Sequence, residues 1–432
     1  MQYTEVLILV ISFVVLLGIR VPVAYSIGIA STLTILVSIP SLPALATLAQ
    51  RMATALDSFA LLAIPFFILA GQLMNRGGIA TRLIDLAKVI VGPLPGGLAF
   101  VNIISCMLFG AISGSAVAAA SAIGGFMTGK MEKEGYSRPF SAAINITSST
   151  IGLIIPPSNV LIVYSLASGG VSISALFLAG YIPGMMVGLS LMIVAGSWSY
   201  FKKYPVGEKS SLKNALIKTW RAFPSLLLLV IVMGGIVAGI FTATEASAIA
   251  VVYTAILSMM VYKEVKWRDI PEIFVDTAKT TAIVMLLIGT SMGMSWVMSY
   301  ENIPQEVSNV LLGISDDRIV VLIIINLILL GVGIFMDMTP AILIFTPIFL
   351  PLVKQLGLDP VHFGIIMVLN LCIGLCTPPV GSVLFVGVGV AKTTVQKVIK
   401  PLLPLFIAML VALVLIIYLP ELSLWLPRQF GF

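Results

Sequence analysis

The sequence predicts an all-α polytopic membrane protein with an inverted repeat, in which two re-entrant helical hairpins each precede a helix broken at a Pro-Pro pair. The 432 residues are 59% hydrophobic and 10% charged, whereas a soluble domain is about 45–50% apolar and about 25% charged. The run IGLIIPP at 151–157 returns as IGLCTPP at 373–379, so five of seven positions agree at a constant shift of 222 residues. Both copies follow an apolar segment with a polar interruption.

Apolar stretches of about 20 residues, the length that a helix needs to cross the hydrocarbon, predict the spans. They are residues 4–20, 23–42, 54–75, 138–168, 173–200, 222–241, 243–262, 279–300, 361–391 and 401–419. Segments 93–131 and 318–353 are long enough for two passes but are broken in the middle. The more polar segments 76–92, 202–221 and 263–278 are expected to lie as amphipathic segments at the cytoplasmic interface.

The repeat predicts five segments along the chain. Residues 1–92 form scaffold helices and an interfacial segment, 184–317 form scaffold and cytoplasmic segments, and 401–432 form a C-terminal span. The first transport repeat is 93–183, with hairpin 93–131 and broken helix 138–168. The second transport repeat is 318–400, with hairpin 318–353 and broken helix 361–391.

The distribution of charge predicts the orientation. Basic residues concentrate in cytoplasmic loops, and the richest cluster, which includes Lys209, lies within 202–221. Counting spans from this cluster leaves both termini outside, together with an acidic loop that contains Glu301, Glu306, Asp316 and Asp317. The count closes only if the first hairpin enters from the cytoplasm and the second from the outer face. The two broken helices then run in opposite directions, which is the arrangement of an inverted repeat.

The first hairpin tip contains Ser113, Gly114 and Ser115. Unwound backbone at membrane depth is tolerated where it lines a cavity or is buried in protein. Its carbonyls and hydroxyls are hard oxygen ligands that suit a small cation, and Gly114 permits a turn with positive φ. The alternative is close helix packing by small residues.

The second tip contains Asp337, the sole carboxylate between Ile319 and Leu352. An ionisable group inside the membrane indicates function, and this one could neutralise a bound cation. Alternatively it caps the next helix, with Pro340 in the first turn. The two roles are compatible.

The broken helices supply further polar side chains. Candidates for binding substrate are Asn145, Ser148, Ser158, Asn159, Asn370 and Ser382. The spacing of Asn145, Ser149, Gly152 and Pro156 puts them on one helix face that could contact the first tip, although interhelical hydrogen bonding explains such a stripe equally. Helix N-termini after each Pro-Pro pair would direct partial positive charge at the membrane midplane and favour an anionic substrate.

Several classes of function are excluded or disfavoured. The chain has no phosphate-binding Walker motif, so it contains no ATPase, and its one histidine, His362, rules out a Ser/His/Asp triad. The net charge of +6 comes from loops and does not indicate nucleic acid. Thr242 and Glu245 fit a helix capping box. The chain is therefore predicted not to be an enzyme.

The motifs together resemble the large membrane subunit of tripartite ATP-independent periplasmic (TRAP) transporters, and the sequence is most similar to the sialic-acid branch. They are LDSF at 56–59, AIP at 63–65, AG at 70–71, MNRGGI at 74–79, GAISGS at 110–115, GLIIPPS at 152–158, AGIFTATEA at 238–246 and TPPVG at 377–381. The family more often has Pro where Ala243 stands here.

The resemblance implies an elevator-type carrier in the bacterial inner membrane that imports an organic acid with sodium ions and needs no organic cofactor. It implies two partners in addition to the lipid bilayer: a periplasmic substrate-binding protein and a small four-helix membrane subunit, expected as a separate chain. The sodium sites that it implies comprise Ser113, Gly114, Ser115, Ser149 and Thr150 for one ion, and Asp337, Thr339 and Thr377 for the other. Two alternatives remain: a stand-alone sodium/dicarboxylate-type carrier, and an ion channel.

Overall fold

The computed structural model describes residues 2–205, 211–315 and 317–432, and within these ranges the secondary structure is helical, without strands. Lys209 and Asp316, which entered the prediction of orientation, lie outside the described residues. Eight helical stretches of the described chain are long and apolar enough to cross a membrane, and four shorter helices are also apolar. The prediction of an all-α polytopic membrane protein is confirmed.

The helices are numbered in chain order. The first five are α1 (Gln2–Gly18), α2 (Val23–Ser38), α3 (Ser41–Leu56), α4 (Ala63–Arg76) and α5 (Ile79–Val91). The first repeat contains α6 (Gly97–Ser113), α7 (Ala116–Lys133), α8 (Arg138–Ile151) and α9 (Asn159–Ala167). The middle of the chain forms α10 (Ile173–Phe201), α11 (Leu212–Val237), α12 (Ala243–Ile256), α13 (Ile270–Tyr300) and α14 (Ile303–Ile314). The last six are α15 (Arg318–Phe335), α16 (Met338–Gln355), α17 (Pro360–Leu375), α18 (Ser382–Val390), α19 (Val395–Tyr418) and α20 (Glu421–Gln429).

The two interrupted segments contain short turns between helices. Helix α6 ends at Ser113, and the residue that follows, Gly114, has a φ of +63°. The Ser115 hydroxyl then caps α7 by accepting the N–H of Ala118 at 3.2 Å. Between α15 and α16 the chain is extended at Met336 and Asp337. The Asp337 carboxylate accepts the N–H of Met338 at 2.8 Å, so the predicted capping role is present.

Each Pro-Pro pair lies between two helices. Helix α8 ends at Ile151 and α9 begins at Asn159, where the Ser158 hydroxyl accepts the N–H of Leu161 at 3.4 Å. Helix α17 ends at Leu375 and α18 begins at Ser382. The first half of each broken helix therefore stops before its Pro-Pro pair, and a second helix begins after it.

A pair of glycines joins each interrupted segment to its broken helix. A Cβ atom on Gly152, directly after α8, would lie 2.3 Å from Cα of Gly110 on α6, and one on Gly374 of α17 would lie 2.6 Å from Cα of Gly333 on α15. Both pairs precede a tip and a Pro-Pro pair by one helical turn. The two repeats thus share a packing contact as well as a sequence motif.

The structure differs from the sequence prediction at two helix starts. Residues 263–278 were expected as a separate interfacial segment, but α13 runs without a break from Ile270 to Tyr300. Its polar first turns are neutralised because Arg76 of α4 contacts Glu272 at 2.8 Å and Asp276 at 2.9 Å. Helix α11 likewise begins at Leu212, inside the segment 202–221 that was expected to lie at the interface.

The predicted capping box at the start of α12 is confirmed. The Thr242 hydroxyl accepts the N–H of Glu245 at 3.2 Å, and the Glu245 carboxylate accepts the N–H of Thr242 at 2.8 Å. Ala243, which stands where the family more often has Pro, is the first residue of this helix.

We predict that Gly152→Ala lowers the melting temperature of the detergent-purified protein, because the added methyl group would collide with the backbone of α6. Overpacking of this kind costs about 1–3 kcal/mol. The matched control is Gly125→Ala on α7, where a Cβ atom meets nothing within 4 Å; the helix propensity of alanine should leave its melting temperature unchanged or higher. Equal melting temperatures for the two variants would contradict the packing argument.

Candidate functional site

A cavity of about 450 Å³ lies between the two tips on one side and α4 and α13 on the other. The α6–α7 tip contributes Ser113, Gly114 and Ser115, and the second tip contributes Asp337 and Thr339. Asn159, at the start of α9, completes this wall. The fold therefore brings candidate residues from both halves of the chain to one space.

The contact between the first tip and α9 is close. A Cβ atom on Gly114 would lie 2.5 Å from Nδ2 of Asn159, and the positive φ of Gly114 independently disfavours any other residue. Ser113, Gly114 and Ser115 are all half-buried. The three residues of this tip are therefore partly exposed where they line the cavity.

The remaining candidates on α8 lie behind the cavity wall. The hydroxyls of Ser148, Ser149 and Thr150 donate to carbonyls of their own helix at 2.7, 3.0 and 3.0 Å. The Asn145 amide donates to the carbonyl of Ala120 on α7 at 2.8 Å. This stripe of α8 thus contacts the α6–α7 segment, and Asn145 makes the interhelical hydrogen bond that was the alternative interpretation.

The candidates of the second broken helix are also outside the cavity lining. The Asn370 amide donates to the side-chain oxygen of Asn326 on α15 at 2.6 Å, and the Thr377 hydroxyl donates to the carbonyl of Ile373 at 2.8 Å. In the first broken helix, the Ser158 hydroxyl donates to the carbonyl of Leu153 at 2.5 Å and caps α9, and Ser158 is also outside the cavity lining. Ser382 has a buried hydroxyl without a hydrogen-bond partner among the described atoms.

The opposite wall contains polar residues that the sequence did not single out. Gln72 and Asn75 come from α4, and Thr280 comes from α13. On the side of the tips, Ser121 of α7 also lines the cavity. Gly71 of α4 also lines the cavity. A signal did exist, since Gln72 and Asn75 are three residues apart at the end of an apolar span and therefore share one helix face.

The electrostatics of the cavity are set by helix ends and one carboxylate. Helices α7, α9 and α16 all begin at its wall, capped by Ser115, Ser158 and Asp337 respectively. Helix N-termini carry partial positive charge and stabilise anions. Among the described lining residues Asp337 is the one ionisable side chain. The cavity can accordingly attract an anion and hold a cation beside it.

The apolar helices, the paired interruptions and the cavity between the two tips define a multi-pass membrane transport protein. The protein-family model described as "Tripartite ATP-independent periplasmic transporter, DctM component" matches residues 10–422. The chain belongs to this family, which is one of transport proteins and not of enzymes.

Relatives of full length support this assignment. The chain is 54% identical over 426 residues to the "Uncharacterized protein YgiK" of Salmonella typhimurium, covering 99% of this chain and 98% of that one. It is 40% identical to the C4-dicarboxylate TRAP transporter large permease protein DctM of Pseudomonas aeruginosa, with 94% of each chain covered. It is 38% identical to the sialic acid TRAP transporter large permease protein SiaM of Vibrio cholerae, covering 88% of this chain and 89% of that one.

Solved structures extend the likeness to the fold alone. The YdaH transporter of Alcanivorax borkumensis superposes with a TM-score of 0.68 over 89% of this chain and 90% of that one, at 12% sequence identity. The helical architecture is therefore shared well beyond recognisable sequence similarity.

Proposed function

We propose that the protein imports a small organic acid together with sodium ions, by an elevator type of alternating access, after delivery by a periplasmic binding protein. The observation that carries this proposal is the cavity in which tips from both halves of the chain meet three helix N-termini and Asp337. A site built at the interface of two repeats, from discontinuous helices, is the arrangement that secondary transporters use.

The moving part in this proposal consists of the two repeats, residues 93–183 and 318–400. The inverted orientation and the re-entrant position of both hairpins are supported by the repeated motif and by the matching Gly110·Gly152 and Gly333·Gly374 contacts. The scaffold comprises segments 1–92 and 184–317 and the C-terminal span 401–432, and its α4 and α13 form the wall against which the repeats slide. Much of that wall is aliphatic, with Ile64, Ile68, Ile283, Val284 and Leu287 lining the cavity.

The cavity in this structure is proposed to face the cytoplasm. It reaches Asn75, next to Arg76, and Thr280, next to Lys279. Both basic residues lie on the side to which the positive-charge rule assigns the cytoplasm. Both chain termini are then periplasmic, in a protein of the bacterial inner membrane.

The proposed coupling to sodium rests on Asp337, the one carboxylate among the described lining residues. An anion that enters the cavity is repelled by Asp337 until a cation neutralises it, since like charges in a region of low dielectric interact strongly. One sodium site is proposed at Ser113, Gly114 and Ser115 with Ser149 and Thr150 behind them. The other is proposed at Asp337 with Thr339 and Thr377.

The substrate class is an organic acid. The C4-dicarboxylate and sialic acid relatives are named for carboxylates, and the helix N-termini of the cavity favour an anion. C4-dicarboxylates and sialic acids are therefore the first substrates to test. The proposed substrate contacts are Asn145, Ser148, Ser158, Asn159, Asn370 and Ser382. Of these, Asn159 lines the cavity.

The proposed partners complete a tripartite transporter. They are the periplasmic binding protein and a small four-helix membrane subunit. The family description, a component of a tripartite periplasmic transporter, supports both. A sodium gradient, and no ATPase, supplies the energy.

We predict that proteoliposomes of the membrane subunits accumulate an acid from a panel of C4-dicarboxylates and sialic acids only when an inward sodium gradient and the binding protein are both present. Uptake that needs sodium but no binding protein would favour a stand-alone carrier. Uptake that is linear with concentration, without saturation or counterflow, would favour a channel.

We predict that Asp337→Asn raises the sodium concentration for half-maximal transport by at least about tenfold, because losing one close charge interaction in the cavity exceeds about 1.4 kcal/mol. Asparagine also caps helices well, so α16 should persist. The matched control is Asp359→Asn: Asp359 caps α17 by accepting the N–H of Val361 at 2.7 Å and lies outside the cavity. An equal effect of both substitutions would assign Asp337 to capping alone.

We predict that Ser115→Cys reacts with a membrane-impermeant thiol reagent from the cytoplasmic side in the resting protein and from the periplasmic side during turnover. The native cysteines should give little background because all three are buried; they are Cys106, Cys372 and Cys376. Thr219→Cys on the exposed face of α11 is the control and should react from the cytoplasm alone. Reaction of Ser115→Cys from one side under every condition would argue against alternating access.

A further inference from the structure

A second polar pocket, separate from the transport cavity, has a volume of about 630 Å³. Its walls are the beginning of α5, the first turns of α11 and the chain that follows α12. The lining includes the charged residues Arg82, Asp85, Lys218, Arg221 and Glu264, together with Tyr262. None of the sodium or substrate candidates lies here.

The pocket carries more positive than negative charge. Arg82 stacks on the ring of Tyr262 at 3.7 Å and lies 3.6 Å from Glu264, while Lys218 lies 3.9 Å from Asp85. These two ion pairs are longer than hydrogen bonds. The third cation, Arg221, forms no ion pair with the described part of the chain.

The backbone around Arg221 is held in place by tyrosines of α12 and of the chain that follows it. The Tyr262 hydroxyl donates to the carbonyl of Arg221 at 3.1 Å, and the Tyr253 hydroxyl donates to the carbonyl of Pro224 at 2.8 Å. The ring of Tyr262 is also the platform on which Arg82 stacks. Tyr262 therefore holds the guanidinium of Arg82 through its ring and the backbone of Arg221 through its hydroxyl.

The outer rim of the pocket is aromatic and faces the surroundings of the protein. Trp220 is 75% exposed, and its ring stacks on Phe223 with centroids 6.0 Å apart and planes 6° apart. Leu216, one turn earlier, is 72% exposed. Exposed tryptophan beside lysine and arginine is typical of the level at which lipid headgroups meet the acyl chains.

We propose that this pocket binds the phosphodiester headgroup of an anionic phospholipid from the cytoplasmic leaflet. Arg221 and Lys218 bind the phosphate, and a guanidinium can do so with two parallel hydrogen bonds. The acyl chains then run along Trp220 and Phe223. Basic pockets at the cytoplasmic ends of membrane helices attract such headgroups, and the excess positive charge favours an anionic lipid over a zwitterionic one.

A lipid bound in this pocket would affect the packing of α5 against α11. Helix α5 lies in the chain between α4 and α6, and it packs directly against α11. A headgroup bound by α11 and bordered by α5 would stabilise the contact between these two helices. This consequence rests on the proposed elevator function, whereas the binding site itself does not.

The test compares Arg221→Gln with Lys213→Gln. Both remove one positive charge from an exposed residue in the first turns of α11, but Lys213 does not line the pocket. The proteins are placed in nanodiscs of phosphatidylcholine with or without phosphatidylglycerol, and bound lipid and melting temperature are measured. Arg221→Gln should bind phosphatidylglycerol at least about tenfold more weakly, the loss expected for charge-assisted hydrogen bonds. It should also lose the rise in melting temperature that this lipid gives the native protein.

Lys213→Gln should keep both properties, and Arg221→Lys should keep part of the affinity. Equal losses in the Arg221→Gln and Lys213→Gln proteins would mean diffuse surface attraction and would overturn the proposal. Stabilisation of the native protein by inorganic phosphate or glycerol phosphate to the same degree, in lipid without phosphatidylglycerol, would mean a site for a soluble phosphate and would overturn it too. None of these readouts depends on transport, so a failure of the proposed function would leave the test intact.

Discussion

The contact on which the site depends is the close approach of two backbones, made once in each repeat by a pair of glycines. Membrane helices gain little from the hydrophobic effect when they associate, so small residues that permit close packing stabilise their interfaces. Gly110 against Gly152 and Gly333 against Gly374 leave no room for a side chain. Each pair lies one turn before a tip and one turn before a Pro-Pro pair, so each contact brings an interrupted segment and the end of a broken helix together.

The interruptions themselves could be predicted because their signals are local. Gly114 and the two Pro-Pro pairs interrupt helices through their own backbone conformation, and Asp337 begins α16 through its capping carboxylate. The role of the hydroxyls on α8 could not be predicted in the same way. Serine and threonine within a helix often donate to a carbonyl of the preceding turn, and Ser149 and Thr150 do so here. Spacing along the sequence does not show whether such a hydroxyl reaches a cavity.

Features that depend on distant partners were also beyond the sequence. The spacing of Gln72 and Asn75 shows that they share one face of α4, but nothing local indicates that α4 and α13 together form one wall of the cavity or that Thr280 lies in it. The continuous α13 was missed for a related reason. Its charged beginning resembles an interfacial segment, but Arg76, which is 196 residues away from Glu272 in the sequence, supplies the neutralising contact. Charge compensation across the fold allows a helix to extend where a local window predicts its end.

The cavity has a chemical property that a site built on arginine or lysine would lack. A fixed cation would hold an organic anion whether or not sodium was present. The described lining contains no lysine, arginine or histidine, and its attraction for anions comes from the N-termini of α7, α9 and α16. Partial charges of this kind are weaker than a full cation, and Asp337 opposes them directly. Under the proposed mechanism, the balance becomes favourable for an anion when a cation neutralises Asp337, so binding of the proposed acid would depend on the coupled ion.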